Sequence, residues 1–208
     1  GVEYIEIRAL DVNPFSPVGI TAEQMHFLDI FLLYCLLKDS PQLSASEQTV
    51  TEQNLKKVVT DGRRRNLDII QGGQPRLMLD WAEELFADMM PVAQYLDSAY
   101  TTERYSSAIK QFYMGLLDPA QTISGQVLNN LIAAQQDNGH FMLALSARYQ
   151  QQLANEDYQY YNEQQFTEAA AQSLLQQQQI EQQDDLSFEQ YIAQYYAEVP
   201  KCDKAQDV

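Results

Sequence analysis

Cysteine is nearly missing from this chain: Cys35 and Cys202 are the only two among 208 residues. Two thiols so far apart give neither a zinc-type spacing nor a disulfide framework for a chain of this length. Basic residues are also scarce, with 13 Lys and Arg against 29 Asp and Glu and a formal net charge of -16. A field of that sign repels phosphates, which disfavours nucleic acid and anionic membranes as partners. Any anionic ligand must therefore meet a local cluster of Arg or Lys. Long apolar runs are lacking too; the longest, Ile30 to Leu37, is far short of a membrane span. The opening residues alternate instead of forming an apolar block behind positive charge, unlike a signal peptide, so a reducing cytoplasm is the default compartment. No internal repeat is found. Gln71-Gly72-Gly73-Gln74 is followed by neither Lys-Ser nor Lys-Thr, so it is read as a turn and not a phosphate loop.

What is present is a globular composition, 45% hydrophobic and 11% aromatic, in a chain long enough to bury a core. Residues 2–10 alternate: Tyr4, Glu6 and Arg8 share one face of an expected strand, and Ile5, Ile7 and Ala9 the other. The chain thus opens within a strand pattern and without Met, which is expected of a cut inside a larger protein. Asp11-Val12-Asn13-Pro14-Phe15-Ser16-Pro17-Val18-Gly19 forbids regular structure and ends that strand.

Helices follow. Thr21 with Gln24, and Ser44 with Glu47, form capping boxes, predicting helices over about 21–38 and to about Val59. The first is apolar on nearly every side, which predicts the centre of a bundle and a small buried side chain at Cys35; Cys202, near a charged end, is expected to be exposed. Asp61-Gly62 is a stop, and Leu67 to Ile70 a possible short strand. Asp80 and Glu83 predict the cap of a helix through Trp81, Leu85, Met89, Val92 and Leu96, running on past Pro91. Further helices are predicted at 102–117, ending at Asp118-Pro119, then near 124–136 and 139–153. Beyond Gln150 the composition turns to Gln, Glu and Tyr; 163–183 reads as an exposed helix, Ser187 and Gln190 open a last one, and 200–208 reads as a frayed tail. The expected organisation is a strand and Pro-rich loop (1–20), a helical bundle (21–153) and a Gln/Tyr-rich helical segment (154–208).

Chemistry-bearing residues concentrate at the start. On a strand, Glu6 and Arg8 lie about 6.5 to 7 Å apart on one face. That spacing suits two groups gripping different parts of one polar ligand: a carboxylate for Mg²⁺, and a guanidinium for phosphoryl or carboxylate oxygens. From the spacing alone, an exposed strand face carrying a cross-strand ion pair fits better. Arg63-Arg64-Arg65 is the only dense basic spot, either an anion site or a complement to the preceding helix end. His26 and His140 lack partners at metal-binding spacing and are expected in packing or surface roles. The tyrosines at 158, 160, 161, 195 and 196 suit helix docking as well as ligand stacking.

The stretch from Gly1 to Gly19 resembles a signature of the proteobacterial class of glutamate–cysteine ligase. Phe27-Leu28-Asp29-Ile30-Phe31 continues the likeness, as do Asn54, Val59, Asp61-Gly62-Arg63, Leu85-Phe86-Ala87-Asp88 and Val92 to Ser98. The likeness is strong over the first 40 residues, patchy to about 130 and weak beyond. At Asp61, Arg65 and Asn66 the chain departs from the family, which favours Glu, Pro and Gly. The resemblance implies an α+β parent enzyme with an antiparallel sheet, of which this chain is the C-terminal, mainly helical portion. It also implies the reaction: ATP phosphorylates the γ-carboxylate of L-glutamate, and the amine of L-cysteine attacks the acyl phosphate, the first step of glutathione biosynthesis. Glu6 is then implied as a Mg²⁺ ligand and Arg8 as the catalytic cation at the transferring phosphoryl or substrate carboxylate. Asn13 and Ser16, in the loop leaving the strand, are implied as residues that help shape the nucleotide end, outside the catalytic set. The family's remaining carboxylates and cysteine-binding residues lie in a part that this chain lacks, so the expected cofactors are ATP and Mg²⁺ and the expected partner is that N-terminal part. The chain alone is expected to be inactive. The rival expectation is a non-catalytic, acidic helical interaction module, which has no need of an alternating polar strand followed by a stiff loop.

Overall fold

The structure, a computed structural model, describes residues 3–8 and 10–198. The described residues are mainly helical, with one small two-stranded antiparallel sheet, and the chain divides into two compact units, 1–152 and 153–208.

The first unit opens with α1 (Ala22–Leu37) and α2 (Ala45–Asp61), and both expected capping boxes close on the expected residues. The Thr21 hydroxyl accepts the Gln24 N–H at 3.3 Å and Gln24 Oε1 accepts the Thr21 N–H at 3.0 Å, while Ser44 and Glu47 repeat the exchange at the head of α2. Gly62 caps α2. The expected short strand exists as β1 (Asp68–Gln71), and it pairs with a second strand that the local sequence does not predict, β2 (Gln74–Leu77). Gly72 and Gly73 join them at φ +57 and +78, the left-handed pair that a two-residue hairpin requires and glycine supplies without strain. Pro75, opposite Ile70, is tolerated because a two-stranded ribbon leaves it an open side.

Asn54 ties α2 to this hairpin. Its Nδ2 donates to the Ile70 carbonyl at 2.7 Å and its Oδ1 accepts the Ile70 N–H at 2.9 Å, so one amide side chain does what a neighbouring strand would do. Asn54→Ala leaves both strand groups unmet, and is expected to lower the unfolding free energy by about 1–3 kcal/mol in urea titration. Asn54→Asp removes only the donor, and is expected to fall between the two.

α3 (Met78–Tyr100) leaves β2 directly, starting before the expected cap at Asp80 and without a side-chain cap bond, and it runs through Pro91. α4 (Arg104–Leu117) turns back against it. The reversal is held by Asp97, whose two carboxylate oxygens accept the Tyr105 N–H at 2.9 Å and the Ser106 N–H at 3.0 Å. Burial pushes this carboxyl up, but the hydrogen bonds from Ser106 and Tyr105 prevail and hold it below the usual aspartate range. The stability so gained is present above the unfolded aspartate pKa and is lost as pH falls through the lowered one. Ile30 of α1, Met89, Ala93 and Leu96 of α3 and Ile109 of α4 form the buried core, with Phe27, Leu33, Leu85, Phe86, Val92 and Tyr105 around them. A short 3₁₀ turn (Pro119–Gln121), α5 (Ile123–Ala134) and α6 (Asn138–Ala154) follow.

Two expectations are corrected here. Residues 3–8 form no ladder with any described segment and all six are exposed. Alternation gives a strand its faces, but a strand exists only where a neighbouring backbone takes its N–H and C=O groups. Cys35 is exposed, not buried, because α1 covers only one of its apolar sides against α3 and α4. Ala9, Cys202 and the expected tail over 200–208 lie outside the described residues.

The second unit contains α7 (Glu163–Gln183) and α8 (Phe188–Glu198). α7 has the bounds predicted for it and is exposed along its whole length. Ser187 and Gln190 open α8 as expected. Tyr158 and Tyr161 pack on Phe166 at ring-centroid distances of 5.2 and 5.7 Å, a docking role.

Candidate functional site

Glu6 and Arg8 are brought together, but with each other as partners. The Arg8 guanidinium donates to Glu6 Oε2 at 2.8 Å, and the two side chains are 55% and 81% exposed for Glu6 and Arg8. Neither lines the cavity bordered by Arg63–Arg65 or the smaller one beside His26. The roles assigned to them therefore rest on the family resemblance and not on a formed pocket. As a metal ligand Glu6 has the right donor chemistry: Mg²⁺ takes hard oxygen atoms, commonly one or two carboxylates completed by substrate phosphates and water. Among the described residues no group of three His, Cys, Asp or Glu side chains gathers.

The loop that follows is tightly built. Asn13 is buried at 5% exposure and every polar group it carries is engaged. Its N–H donates to the Gly19 carbonyl at 2.7 Å and its carbonyl accepts the Ser16 N–H at 3.3 Å. Its Oδ1 accepts the Phe15 N–H at 3.0 Å, and its Nδ2 donates to Gln24 Oε1 at 2.8 Å. Since Gln24 Oε1 is also the capping acceptor for Thr21, one buried amide pair welds the loop to the start of α1. The Ser16 hydroxyl donates to the Ile20 carbonyl at 2.7 Å, and the Tyr149 hydroxyl of α6 donates to the Pro14 carbonyl at 3.1 Å. Gly19 closes the loop at φ +78, where a Cβ would stand 3.0 Å from Val12 Cγ1. Asn13 and Ser16 thus fix the shape of this loop.

That loop forms one wall of a half-open cavity of about 930 Å³, at the upper end of ligand-pocket sizes. Phe15, Phe27, Phe86 and Phe112 supply its apolar surface, and Arg63, Arg64 and Arg65 line it as well. Arg65 donates to the Leu117 carbonyl at 3.0 Å and Arg64 pairs with Asp61 at 3.5 Å. Arg64 thus serves the end of α2, as the helix-end reading of the basic run expects, and the run as a whole borders the cavity. An apolar surface with guanidinium groups beside it suits a ligand with a flat apolar part and an anionic end. Sequence reasoning missed this cavity because Asn13, Arg63 and Phe112 meet only through folding. The histidines keep the roles expected of them: His26 packs its ring 4.9 Å from Tyr105, and exposed His140 pairs with Asp137.

Comparison with known proteins gives three concordant findings. A family model described as Glutamate-cysteine ligase matches residues 1–58. The glutamate–cysteine ligase of Pseudoalteromonas translucida is 44% identical over 196 residues, covering 94% of this chain and 37% of that protein. That of Alcanivorax borkumensis is 39% identical over 202 residues, covering 94% and 37%. Among solved structures, the crystal structure of the glutamate–cysteine ligase of Francisella tularensis in complex with AMP superposes with a TM-score of 0.81 at 28% identity, over 92% of this chain and 37% of that one. The chain thus spans little more than a third of the length of these relatives.

Proposed function

This chain belongs to the glutamate–cysteine ligase family, and from that premise we propose that it supplies the C-terminal part of an ATP-dependent ligase joining the γ-carboxyl of L-glutamate to the amine of L-cysteine. The observation that carries the reading is the match to whole-length relatives over 94% of the chain at 44% identity. The AMP held by the Francisella relative supports an adenine nucleotide as cofactor. The acidic surface excludes a generally attractive field for ATP, so local cations must receive it.

The chemistry sets what the residues must do. A carboxylate is a poor electrophile; transfer of the γ-phosphoryl of ATP to it creates an acyl phosphate, and the amine then displaces phosphate to leave the amide. Negative charge accumulates on the phosphoryl oxygens at the first step, and a fixed guanidinium opposite them lowers that barrier. Arg8 fills this role. Glu6 is the oxygen ligand that this chain would offer Mg²⁺, which when bound would supply positive charge to neutralise the phosphoryl group. Asn13 and Ser16 hold the adjoining loop in shape at the nucleotide end. The part of the enzyme that this chain does not span supplies the other carboxylates and the cysteine-binding residues, and the assembled enzyme works in the cytoplasm.

The test is reconstitution. Mixed with the part of the Pseudoalteromonas ligase that it does not match, the chain is expected to give γ-glutamylcysteine, ADP and phosphate in equal amounts; alone it is expected to give none. Turnover by the isolated chain would refute the division of the site. A stable complex without product would favour a non-catalytic interaction module.

A further inference from the structure

α1 has two apolar sides, and the fold uses one. Phe27, Ile30, Leu33 and Tyr34 belong to the core formed with α3 and α4. Met25, Leu28, Leu32, Cys35 and Leu36 recur at the three- and four-residue spacing of a second helical face, with Phe31 beside them. Leu28 and Leu32 are half-buried and the other four are exposed, Leu36 at 78%. An ordinary surface helix turns charge outward. Here the outward side holds a row of large apolar groups and a thiol.

We infer that this outer face of α1 is the seat of the part of the ligase that the chain does not span. This rests on the function proposed above and identifies the surface through which the two parts meet. Three observations choose this occupant. The chain covers 37% of relatives that match it over nearly all its own length, so most of each relative is polypeptide with no counterpart here. The family model falls on residues 1–58, the stretch that contains α1, and the exposed apolar residues there include Tyr4, Ile5, Val12 and Val18 ahead of α1 and Leu37 at its end, so the outer face of α1 continues an uncovered apolar surface within the family-matched segment. A lipid surface is disfavoured by the net charge of -16, and α1 is not long and apolar enough to cross a membrane. A helix apolar on all sides belongs in an interior, and the partner completes that interior.

Cys35 lies on this face near the C-terminal end of α1 and reports on it. In a Cys202→Ser version of the whole chain, Cys35 is the only thiol, and its reaction with a water-soluble disulfide reagent reads its coverage. Alone, Cys35 is expected to react at the rate of a free thiol. With the unmatched part of the Pseudoalteromonas ligase bound, the rate is expected to fall at least about tenfold, because reaction then requires local opening. Leu28→Lys and Leu36→Glu are expected to keep the helical circular dichroism of the chain and to lose the complex. Unchanged Cys35 reactivity in a complex that makes γ-glutamylcysteine would overturn this docking face and leave the proposed function standing. A protected Cys35 in a complex without product would do the reverse. Cys35 already protected in the isolated chain, with a dimer by sedimentation, would give the face to a second copy and overturn the inference, as would failure of the two parts to associate.

Discussion

Ile109→Ala is expected to remove about 2–5 kcal/mol of stability, the range for truncating a fully buried aliphatic side chain and leaving a cavity behind. Ile109 is 1% exposed and stands among Ile30, Met89, Ala93 and Leu96, where α1, α3 and α4 meet. The substitution strips the contact from all three helices at once, and the aromatic ring around the core, Phe27, Phe86 and Tyr105, packs against a frame that cannot close by moving one side chain. Against a total of about 5–15 kcal/mol for a domain, the loss is a large fraction of what there is. The single tryptophan, Trp81, sits on α3, so its fluorescence in a urea titration follows this core and not the second unit. Leu36→Ala in the same chain is the control: its side chain is exposed, and the change is expected to stay within about 0.5 kcal/mol. Similar midpoints for the two variants would mean that the core does not hold α1 as described.

The contrast between these two residues shows what the sequence could and could not tell. Local rules carried far: both capping boxes, the break at Asp118-Pro119, the passage of α3 through Pro91 and the bounds of α7 follow from side chains a few residues apart, and there the structure agrees. Where a feature depends on a partner distant in the chain, local reasoning failed. Gln74 to Leu77 has no strand-like pattern of its own and becomes β2 because β1 and the Gly72-Gly73 turn present it a ladder. Cys35 was expected inside because its neighbours are apolar, yet apolarity says only that a face should be covered, and the fold of this chain covers the opposite face. The start of α3 moved for a related reason: Asp80 and Glu83 look like caps, but the chain enters the helix from β2, with the hairpin fixing its direction. At the candidate site, Glu6 and Arg8 could be named from the sequence, and Asn13 too, although the cavity beside Asn13 is assembled from α1, the Arg63–Arg65 run, α3, α4 and α5 and could not be.

The ion pair between Glu6 and Arg8 makes the role of Arg8 decidable, because its two readings differ in size and in the quantity they move. A salt bridge this exposed contributes about 0–1 kcal/mol, since water screens both charges and the long side chains lose entropy in holding one geometry. If pairing were all that Arg8 did, Arg8→Ala would shift the unfolding midpoint slightly and leave synthesis of γ-glutamylcysteine untouched. A guanidinium facing the transferring phosphoryl has a different signature. Arg8→Ala in the reconstituted ligase is expected to lower kcat by about 10³-fold, near 4 kcal/mol, with the stability of the chain unchanged within about 1 kcal/mol. Arg8→Lys keeps the charge but loses the planar pair of donors, so it is expected to recover only part of the rate. Glu6→Gln separates the partners further: it breaks the ion pair as fully as Arg8→Ala does, but it should weaken the dependence on Mg²⁺ and raise the concentration needed for half-maximal rate. Equal and small effects of Arg8→Ala and Glu6→Gln on turnover would reduce the pair to a surface contact and remove both residues from the chemistry.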